Sequence, residues 1–385
     1  MATPKINIVF IGGFTYPSGM AGTKRVQHII DYFFNNNDSV KVLIVRQQTA
    51  HKSLDFGFFK GVFYTVLGNN LSFFKLLLFP LIYLKGIKLL FQWKSNLNIN
   101  VLYVYNGINI ENIPLVLFAR LIRYKVVVDI VEDYSFHLEK ISFFQKIKLK
   151  SDAVFEKHIS VFVNGIIGIS TFLVEKFKYG GNDIPVFHSP ITAKENNYVK
   201  GKNSNGKIRF AYTGSYGNKD GVIYLVKAFN NLSKKYPNIE LVMTGSDKSA
   251  KLALDGINNS HINFTGFLEE DKFFDFIANA DILCMTRVGS QYANAGFPFK
   301  LGEYLATGNP VIASNVSDIS KYLDNGKDAL IVSPENVSEI ESAMEFLILN
   351  PEEGNVIGKN GKNKWRKHFN PDVNIPRFRE FLMSL

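Results

Sequence analysis

Short runs of apolar residues alternate with longer amphipathic segments along the whole chain. The runs are continuously apolar, which is typical of strands buried on both faces of a parallel sheet, and each is followed by a stretch with helical spacing. In the first half the pattern predicts strands at residues 6–11, 40–45, 101–105, 125–130 and 165–169. We therefore predict a doubly wound α/β unit, with helices on both faces of its sheet.

A polar stretch without apolar periodicity, residues 191–207, predicts a linker between two domains. Beyond it the alternation restarts and predicts a second doubly wound unit, with strands at 208–212, 239–243, 262–264, 282–285, 311–313 and 330–332. Small residues such as Gly214, Ser215 and Gly245 follow these strands. Because ligands of such sheets bind at the carboxyl ends of the strands, where loops meet helix N-termini, we expect a site there.

Composition agrees with two globular domains and excludes several classes of protein. The chain has 385 residues, 46% of them hydrophobic and 20% charged, which excludes disordered, collagen-like and disulfide-scaffold proteins. One cysteine permits no internal disulfide, argues against a structural zinc site and fits a reducing cytoplasm. The net charge of +10 suits an anionic partner, whether a nucleotide, a phospholipid head group or a nucleic acid.

The apolar stretches predict neither a membrane-spanning helix nor a secretory signal. The run at 6–11 is too short for a signal peptide, and the longest, 76–84, has nine residues where a spanning helix needs about 20. Two lysine-rich apolar segments, 71–94 and 140–150, are interpreted first as ordinary helices packed on their own sheet, the former kinked at Pro80. The second segment could also meet an anionic bilayer or a lipid-linked acceptor.

The most informative segment is 294–314, where a glycine-rich loop leads into a helix. The helix is expected to begin after Pro298 and to end at Gly308, and a buried strand follows from Val311. A loop that enters a helix N-terminus is an anion site. In the first turns of this helix Lys300 can neutralise phosphate, and Glu303 can accept hydrogen bonds from sugar hydroxyls.

Residues 297–313 resemble the donor-binding segment of glycosyltransferase family 4, a family of retaining enzymes with the GT-B fold. Further family motifs are matched, in the family's order and spacing, at residues 212–221, 242–247, 262–268 and 278–283. The resemblance implies an α/β protein with two Rossmann-like, doubly wound parallel-sheet domains that face a cleft. It implies an acceptor-side domain at 1–195, a nucleotide-sugar donor domain at 205–372, and a C-terminal helix at 373–385 that packs back on the first domain.

In the donor domain the sequence departs from the family pattern at three positions. Glu303 matches the second glutamate of a Glu-x7-Glu motif and is expected to bind the ribose of the nucleotide, whereas the first glutamate falls on Ala295. The Arg and Lys that commonly grip the diphosphate fall on Ser215 and Asp220, so other cations and the backbone N–H groups near Gly214 and Ser215 are expected to serve. The expected donor-binding residues are Gly214, Ser215, Lys219, Phe267, Glu303 and Gly22, and the expected catalytic residues are Arg287, Lys300 and Glu132.

The first half resembles the family's acceptor domain less closely. Residues 16–26 correspond to the glycine loop and helix start that face the donor, where Gly22 permits close backbone approach. Family members often carry a histidine near the end of one strand, followed by an acidic residue. This chain has Glu132 and Asp133 there, with His137 further on, which makes Glu132 the candidate catalytic group on the acceptor side.

The resulting hypothesis is a cytoplasmic, membrane-proximal retaining glycosyltransferase that moves a sugar from a nucleotide-sugar to a saccharide or lipid-linked saccharide in glycan biosynthesis. The sequence contains no Asp-x-Asp motif, so we expect no metal requirement and no cofactor beyond the donor, and we expect no nucleic-acid partner. Two alternatives stay open: a catalytically inactive subunit of the same shape that binds a glycan or a partner, and a nucleotide-sugar epimerase. A dinucleotide-dependent oxidoreductase is a distant fourth, because no G-x-G-x-x-G follows the first strand.

Overall fold

The computed structural model describes residues 4–47, 55–69, 80–133, 143–181, 183–195, 197–198, 201, 206–245 and 259–385. The chain divides into two compact units, one formed by Met1–Pro190 with Asn374–Leu385 and the other by Ile191–Val373. Each unit has its own sheet and its own buried apolar core. Within the described ranges no helix is both long enough and apolar enough to span a bilayer.

Continuous apolar runs form most of the sheet of the first unit. Its strands are β1 (Ile6–Gly12), β2 (Ser39–Gln47), β3 (Phe56–Phe59), β4 (Val62–Asn69), β5 (Ile99–Tyr105), β6 (Lys125–Ile130), β7 (Gly165–Gly168) and β8 (Val186–His188). They lie in the order β3-β4-β2-β1-β5-β6-β7-β8. The chain adds strands on one side of β1 and then returns to add β5 on the other, so the topological switch point lies between β1 and β5.

Amphipathic helices connect these strands. They are α1 (Ala21–Asn35), α2 (Pro80–Trp93), α3 (Ile113–Leu121), α4 (Phe143–Lys157), α5 (Ile159–Phe162) and α6 (Thr171–Tyr179). Helix α6 shows how the sequence sets a boundary: the Ser170 hydroxyl oxygen accepts a hydrogen bond from the Leu173 N–H, which satisfies one of the first donors of the helix. The central strand β1 is buried along its whole length, as continuous apolarity requires.

The edge of this sheet differs from the prediction. The sequence pattern does not predict β3, β4 and β8, and β3 runs antiparallel to β4, which corrects the expectation of a wholly parallel sheet. A turn at Lys60 and Gly61, both with positive φ, joins β3 to β4. The kink predicted at Pro80 is absent from the helix that the structure describes. Pro80 is the first residue of α2, a position where proline is tolerated. Residues 71–79 and 134–142, and with them His137, lie outside the described part of the chain.

The second unit contains a six-stranded parallel sheet. Its strands are β9 (Ile208–Thr213), β10 (Ile239–Thr244), β11 (Ile262–Phe264), β12 (Ile282–Met285), β13 (Val311–Ser314) and β14 (Leu330–Val332). All six predicted strands are confirmed to within one residue at each end. Their order is β11-β10-β9-β12-β13-β14, so the topological switch point of this sheet lies between β9 and β12.

Helices cover this sheet as well. A short 3₁₀ turn at Asn218–Asp220 precedes α7 (Val222–Ser233), and the later helices are α8 (Glu270–Ala278), α9 (Gln291–Ala295), α10 (Phe299–Thr307), α11 (Ile319–Tyr322), α12 (Val337–Leu349) and α13 (Pro351–His368). Phe210, Leu225, Phe229 and Leu241 are fully buried between the sheet and its helices, and so is Cys284 on β12. The predicted architecture of two α/β units with doubly wound sheets is confirmed.

The last helix, α14 (Pro371–Ser384), belongs to the first unit from Asn374 onward. Phe378 packs against the rings of Phe33 on α1 and Tyr103 on β5, with 6.0 Å between ring centroids in both cases. The Arg379 guanidinium donates hydrogen bonds of 3.2 Å to the Asp38 carboxylate. Ring packing and this ion pair attach the end of the chain to the first sheet.

Candidate functional site

Two loops meet at the switch point of the second sheet. The loop after β9 runs from Gly214 to Gly221 and contains the 3₁₀ turn, and the loop after β12 begins at Thr286. The Thr286 hydroxyl donates to the Asp220 carbonyl at 3.1 Å, and the Val288 N–H donates to the Lys219 carbonyl at 3.2 Å. These bonds hold the 3₁₀ turn against the end of β12, so side chains from both loops face the same place.

Helix α10 is fixed beside these loops by the sequence features that predict it. Pro298 precedes its first residue, and Gly308 ends it with a φ of 82°, a conformation that favours glycine. The Tyr304 hydroxyl accepts a hydrogen bond of 2.8 Å from the Thr213 N–H at the end of β9. Lys300 lies one turn earlier on the same face of the helix, which directs its side chain to the loop after β9.

A buried ion pair stands at the centre of the site. The Lys300 ammonium lies 3.4 Å from Oδ1 of Asp220 and donates to the Tyr212 hydroxyl at 3.2 Å. It also lies 4.4 Å from the centroid of the Tyr212 ring, within cation–π distance. Oδ2 of Asp220 accepts from the Ser215 hydroxyl at 3.0 Å and from the Gly217 N–H at 3.2 Å. Both oxygens of this carboxylate are therefore engaged.

Two further cations lie around Asp220. Arg287 is 7% exposed, and its guanidinium donates to the Ala293 carbonyl at 3.2 Å. The Lys219 ammonium lies 4.9 Å from the centroid of the Tyr292 ring. We call Lys219, Arg287, Lys300 and the enclosed Asp220 the Asp220 cluster. Its three cations and one carboxylate leave two positive charges in excess, at the strand ends where the sequence predicts an anion site.

Burial and mutual charge shift the pKa values in this cluster. Burial alone would raise the pKa of Asp220, but the charges of Lys300 and Arg287 outweigh it, and the pKa lies below its usual value. Burial lowers the pKa of Lys300, the charge of Asp220 offsets part of this effect, and Arg287 adds to it. Burial, together with the charge of Asp220, raises the pKa of the Tyr212 hydroxyl, which therefore stays protonated at neutral pH.

Two glycines leave the space that the cluster occupies. A Cβ atom on Gly214 would lie 2.3 Å from the Tyr212 hydroxyl and 2.8 Å from the Lys300 ammonium. A Cβ atom on Gly221 would lie 3.1 Å from the carbonyl carbon of Arg287, and Gly221 has a φ of 58°. A side chain at Gly214 would therefore displace the ends of the Tyr212 and Lys300 side chains, and one at Gly221 would crowd the loop after β12 in a backbone conformation that favours glycine.

The structure brings together most of the residues of the second unit that the sequence predicts for donor binding and catalysis. Gly214, Ser215, Lys219, Arg287 and Lys300 all belong to or adjoin the Asp220 cluster. Glu303 is half-buried on α10, one turn after Lys300, and Phe267 is exposed on the loop after β11. The sequence prediction missed Tyr212 and Tyr292 because tyrosines in apolar runs and short helices give no signal of a site.

One detail of the expected anion site is wrong. The backbone N–H of Gly214 donates to the Thr244 carbonyl at 3.1 Å, because the pairing of β9 with β10 continues one residue past the strand. This N–H is therefore committed to the sheet and not to a ligand. The side-chain cations of the Asp220 cluster, and not the Gly214 amide, are therefore what the site offers to an anion.

The first unit places Gly22 and Glu132 near the carboxyl ends of its strands. A Cβ atom on Gly22 would lie 2.6 Å from the Tyr105 hydroxyl at the end of β5. Glu132 follows β6 and is half-buried, whereas its neighbour Asp133 is 1% exposed and accepts from the Lys176 ammonium at 2.7 Å. Because Asp133 is committed to this ion pair, Glu132 is the more accessible carboxylate of the two.

A buried network lies beneath this strand end. The Arg25 guanidinium donates to both Asp129 carboxylate oxygens at 2.7 and 3.0 Å, and also to the carbonyls of Ser189 and Pro190. The Tyr103 hydroxyl donates to the same carboxylate. Arg25, at the start of α1, is thus a structural residue. Among the side chains that the structure describes, no three of the types His, Cys, Asp and Glu come together as a possible metal site.

Comparison with known proteins agrees with this fold. Residues 193–364 match the family model of glycosyl transferases group 1, which covers most of the second unit. Over 276 residues the chain is 24% identical to an uncharacterized glycosyltransferase of Methanocaldococcus jannaschii, and the match spans 65% of this chain and 68% of that protein. The second unit is thus similar to a glycosyltransferase domain along nearly its whole length.

Two solved structures share the fold of nearly the entire chain. Sucrose-phosphate synthase from Thermosynechococcus elongatus has a TM-score of 0.77 at 13% identity, over 98% of both chains. HepE from Anabaena, in complex with UDP and glucose, has a TM-score of 0.73 at 14% identity, over 98% of this chain and 100% of that one. The predicted GT-B fold is confirmed.

Proposed function

We propose that this protein is a retaining glycosyltransferase of family 4 that transfers a hexosyl group from a nucleotide-sugar to a saccharide or lipid-linked saccharide, in the biosynthesis of a polysaccharide or other glycan. The observation that carries the proposal is the Asp220 cluster at the switch point of the second sheet. Its excess positive charge, beside the N-terminus of α10, suits a diphosphate. The match of residues 193–364 and the UDP bound in the similarly folded HepE support this assignment.

The cations of the cluster would act on the group that leaves. Transfer breaks the bond between C1 of the sugar and a diphosphate oxygen, which keeps the electron pair, while the acceptor oxygen bonds to C1 and gives up its proton. We assign Lys300, Arg287 and Lys219 to stabilise the charge that develops on the diphosphate, which is usually the largest contribution to catalysis. Retention requires attack on the face that the diphosphate leaves, and the departing phosphate would take the acceptor's proton.

We assign the remaining donor contacts to residues around the cluster. Glu303 would bind the ribose hydroxyls, the role that the resemblance to the family gives to this glutamate. It follows Lys300 by one turn on the same face of α10, which places it beside the cluster. Ser215 and Phe267 would contact the donor from the loops after β9 and β11. In the first unit Gly22 would approach the donor and Glu132 would act on the acceptor. We expect no metal requirement, because the sequence has no Asp-x-Asp pair and side-chain cations can serve the diphosphate.

We further propose a cytoplasmic protein in peripheral contact with the inner face of the plasma membrane. Helix α2 exposes Leu81, Leu84 and Phe91 on one face, and Lys85 and Lys88 are exposed on that face too. Apolar side chains among lysines suit the surface of an anionic bilayer. Sedimentation with vesicles tests this proposal. Binding to vesicles that contain phosphatidylglycerol and not to pure phosphatidylcholine vesicles supports it. Equal binding to both kinds of vesicle, or binding to neither, contradicts it.

Thermal unfolding with nucleoside diphosphates tests the donor site. A ligand at 100 times its dissociation constant adds about 2.7 kcal/mol to the free energy of unfolding. We expect UDP or GDP to stabilise the protein, Glu303→Ala to remove most of that shift, and inorganic pyrophosphate to stabilise wild type and variant alike. Glu353→Ala, which removes an exposed glutamate from α13, serves as the matched control. No shift with any common nucleoside diphosphate would contradict the proposal.

Consumption of nucleotide-sugars then separates the alternatives. A transferase consumes donor and forms a glycoside only when acceptor is present, whereas an epimerase converts the donor without acceptor. A binding subunit does neither. Detection of the glycoside product by mass spectrometry, with panels of donors and acceptors, decides among the three.

A further inference from the structure

Asp220 is a negative charge fixed inside the site proposed for a diphosphate. Its side chain is 5% exposed, and its two oxygens are bound by Lys300, Ser215 and the Gly217 N–H. Its backbone carbonyl accepts from the Thr286 hydroxyl on the neighbouring loop. The turn, both carboxylate oxygens and the backbone are thus all anchored, so the charge of Asp220 stays in place when a ligand enters.

The donor and the product differ in charge at the group that this site would hold. In a nucleotide-sugar each phosphate has one ester bond and one anhydride bond, so the diphosphate carries about two negative charges at neutral pH. Cleavage of the C1–O bond leaves the outer phosphate with the anhydride bond alone and with a second ionisation near pH 6, as in a phosphate monoester, so the product nucleoside diphosphate carries about three. A nearby fixed carboxylate therefore repels the product more strongly than the donor.

We propose that Asp220 is a specificity-determining residue that weakens the binding of the product nucleoside diphosphate relative to that of the nucleotide-sugar donor. This inference rests on the proposed function. Three cations without Asp220 would bind the more highly charged product most tightly, and release of the product would then limit turnover. With Asp220 the excess charge of the cluster is close to that of the donor's diphosphate.

The pKa of Asp220 supports this role. The cations around Asp220 outweigh its burial and lower its pKa below the usual value of 3.8. The carboxylate therefore stays ionised at pH 5, where the outer phosphate of a nucleoside diphosphate has lost most of its extra charge. The discrimination by Asp220 should accordingly exist at pH 7.5 and disappear at pH 5.

The test compares dissociation constants of UDP and UDP-glucose, measured by calorimetry for wild type and Asp220→Asn. At a separation of about 8 Å and an effective dielectric constant of about 40, removing one charge changes affinity about fivefold for each unit of ligand charge. At pH 7.5 we expect the ratio of the UDP-glucose constant to the UDP constant to rise about fivefold in Asp220→Asn. At pH 5 the two proteins should give the same ratio.

Three further variants complete the test. Asp220→Glu keeps the charge and should keep the wild-type ratio, and Asp324→Asn, which removes a carboxylate from the surface of the same unit, should also leave the ratio unchanged. If Asp220→Asn fails to fold, Asp220→Ser keeps an oxygen in the turn and is measured instead. A second nucleotide pair, GDP and GDP-mannose, is used if the uridine pair does not bind.

The outcomes separate this inference from the proposed function. An unchanged ratio at pH 7.5, or an equal rise at both pH values, overturns the role of Asp220 while donor binding stands. A wild-type protein that binds neither member of any nucleotide pair overturns the proposed function itself.

Discussion

Lys300 and Asp220 form a buried ion pair of 3.4 Å across 80 positions of sequence. One residue lies in the first turn of α10 and the other in the 3₁₀ turn after β9. The Tyr304 hydroxyl accepts a hydrogen bond from the Thr213 N–H, which holds α10 against the end of the strand that precedes this turn. The pair therefore depends on the fold of the whole second unit. Because substitution of either residue changes the net charge of the site, the pair also allows the role of that charge to be tested.

Replacement of Lys300 by Met should weaken binding of nucleoside diphosphates by tenfold to a hundredfold. A hydrogen bond to a charged group contributes about 1.5–3 kcal/mol, and Met keeps an unbranched side chain that lacks only the terminal ammonium. Calorimetry with UDP measures the loss. Lys272→Met, which removes an exposed lysine from α8 of the same unit, is the matched control and should bind as wild type does. Equal affinities of the two variants would remove Lys300 from the site.

Replacement of Gly214 by Ala should displace the Lys300 side chain without changing the fold. The added methyl group would collide with the Tyr212 hydroxyl and the Lys300 ammonium, and overpacking of this kind costs about 1–3 kcal/mol. We expect UDP affinity to fall about tenfold, close to the lower range of Lys300→Met. Gly13→Ala, with no atom within 4 Å of the new Cβ, is the control. Wild-type affinity in Gly214→Ala would show that the ammonium can relocate without loss.

Binding of a diphosphate at alkaline pH should take up a proton at Lys300. The pKa of Lys300 lies below the usual 10.5 because the ammonium is buried, and an incoming anion raises it again. In the window just below pH 10.5, affinity should therefore fall as pH rises. Calorimetry in buffers of different ionisation enthalpy measures the uptake. Lys300→Met should show none, and the same uptake in that variant would assign the proton to another group.

The same pKa has the opposite effect on the stability of the free protein. Because folded Lys300 loses its proton at a lower pH than the unfolded chain does, the unfolded chain binds more protons in that window. Lys300 by itself therefore makes the free energy of unfolding rise with pH just below 10.5. The difference between wild type and Lys300→Met in urea unfolding, followed across this range, measures its contribution.

Replacement of Asp129 by Asn should destabilise the first unit. The substitution leaves the Arg25 guanidinium buried without its counter-ion, and breaking a buried pair in this way costs about 3–5 kcal/mol. Urea unfolding followed by fluorescence measures the loss. Asp324→Asn breaks an ion pair on the surface of the second unit and should leave the midpoint almost unchanged. Stability of Asp129→Asn equal to that of the wild type would show that the network is dispensable.

The sequence predicts the sheets well and the cluster only in part. Continuous apolar runs place β6 and β12 at their observed bounds, because strands buried on both faces have an unambiguous pattern. The edge strand β3 escapes prediction because it has only four residues and is not continuously buried: Phe56 and Phe58 are exposed, and Gly57 and Phe59 are half-buried. For the site, Pro298 and Gly308 mark the two ends of α10 and so predict that Lys300 lies in its first turn.

What the sequence does not show depends on contacts between distant elements. An aspartate in a polar loop is usually exposed to solvent. The neighbouring sequence does not indicate that Asp220 is buried in contact with a lysine from a distant helix. Gly214 lies in a loop whose composition is typical of an anion-binding loop, yet its N–H donates to the Thr244 carbonyl at the end of β10. Both facts follow from the order of the strands in the sheet.

The thiol of Cys284, the one cysteine in the sequence, can report how often the second unit opens. Cys284 is fully buried on β12, directly before the loop that carries Arg287, and burial raises the pKa of its thiol. A thiol-specific reagent can react only when this strand separates from its neighbours. The rate of labelling therefore measures how often that separation occurs. A nucleotide bound at the end of β12 should slow that rate, so labelling of Cys284 would show whether a given donor occupies the site.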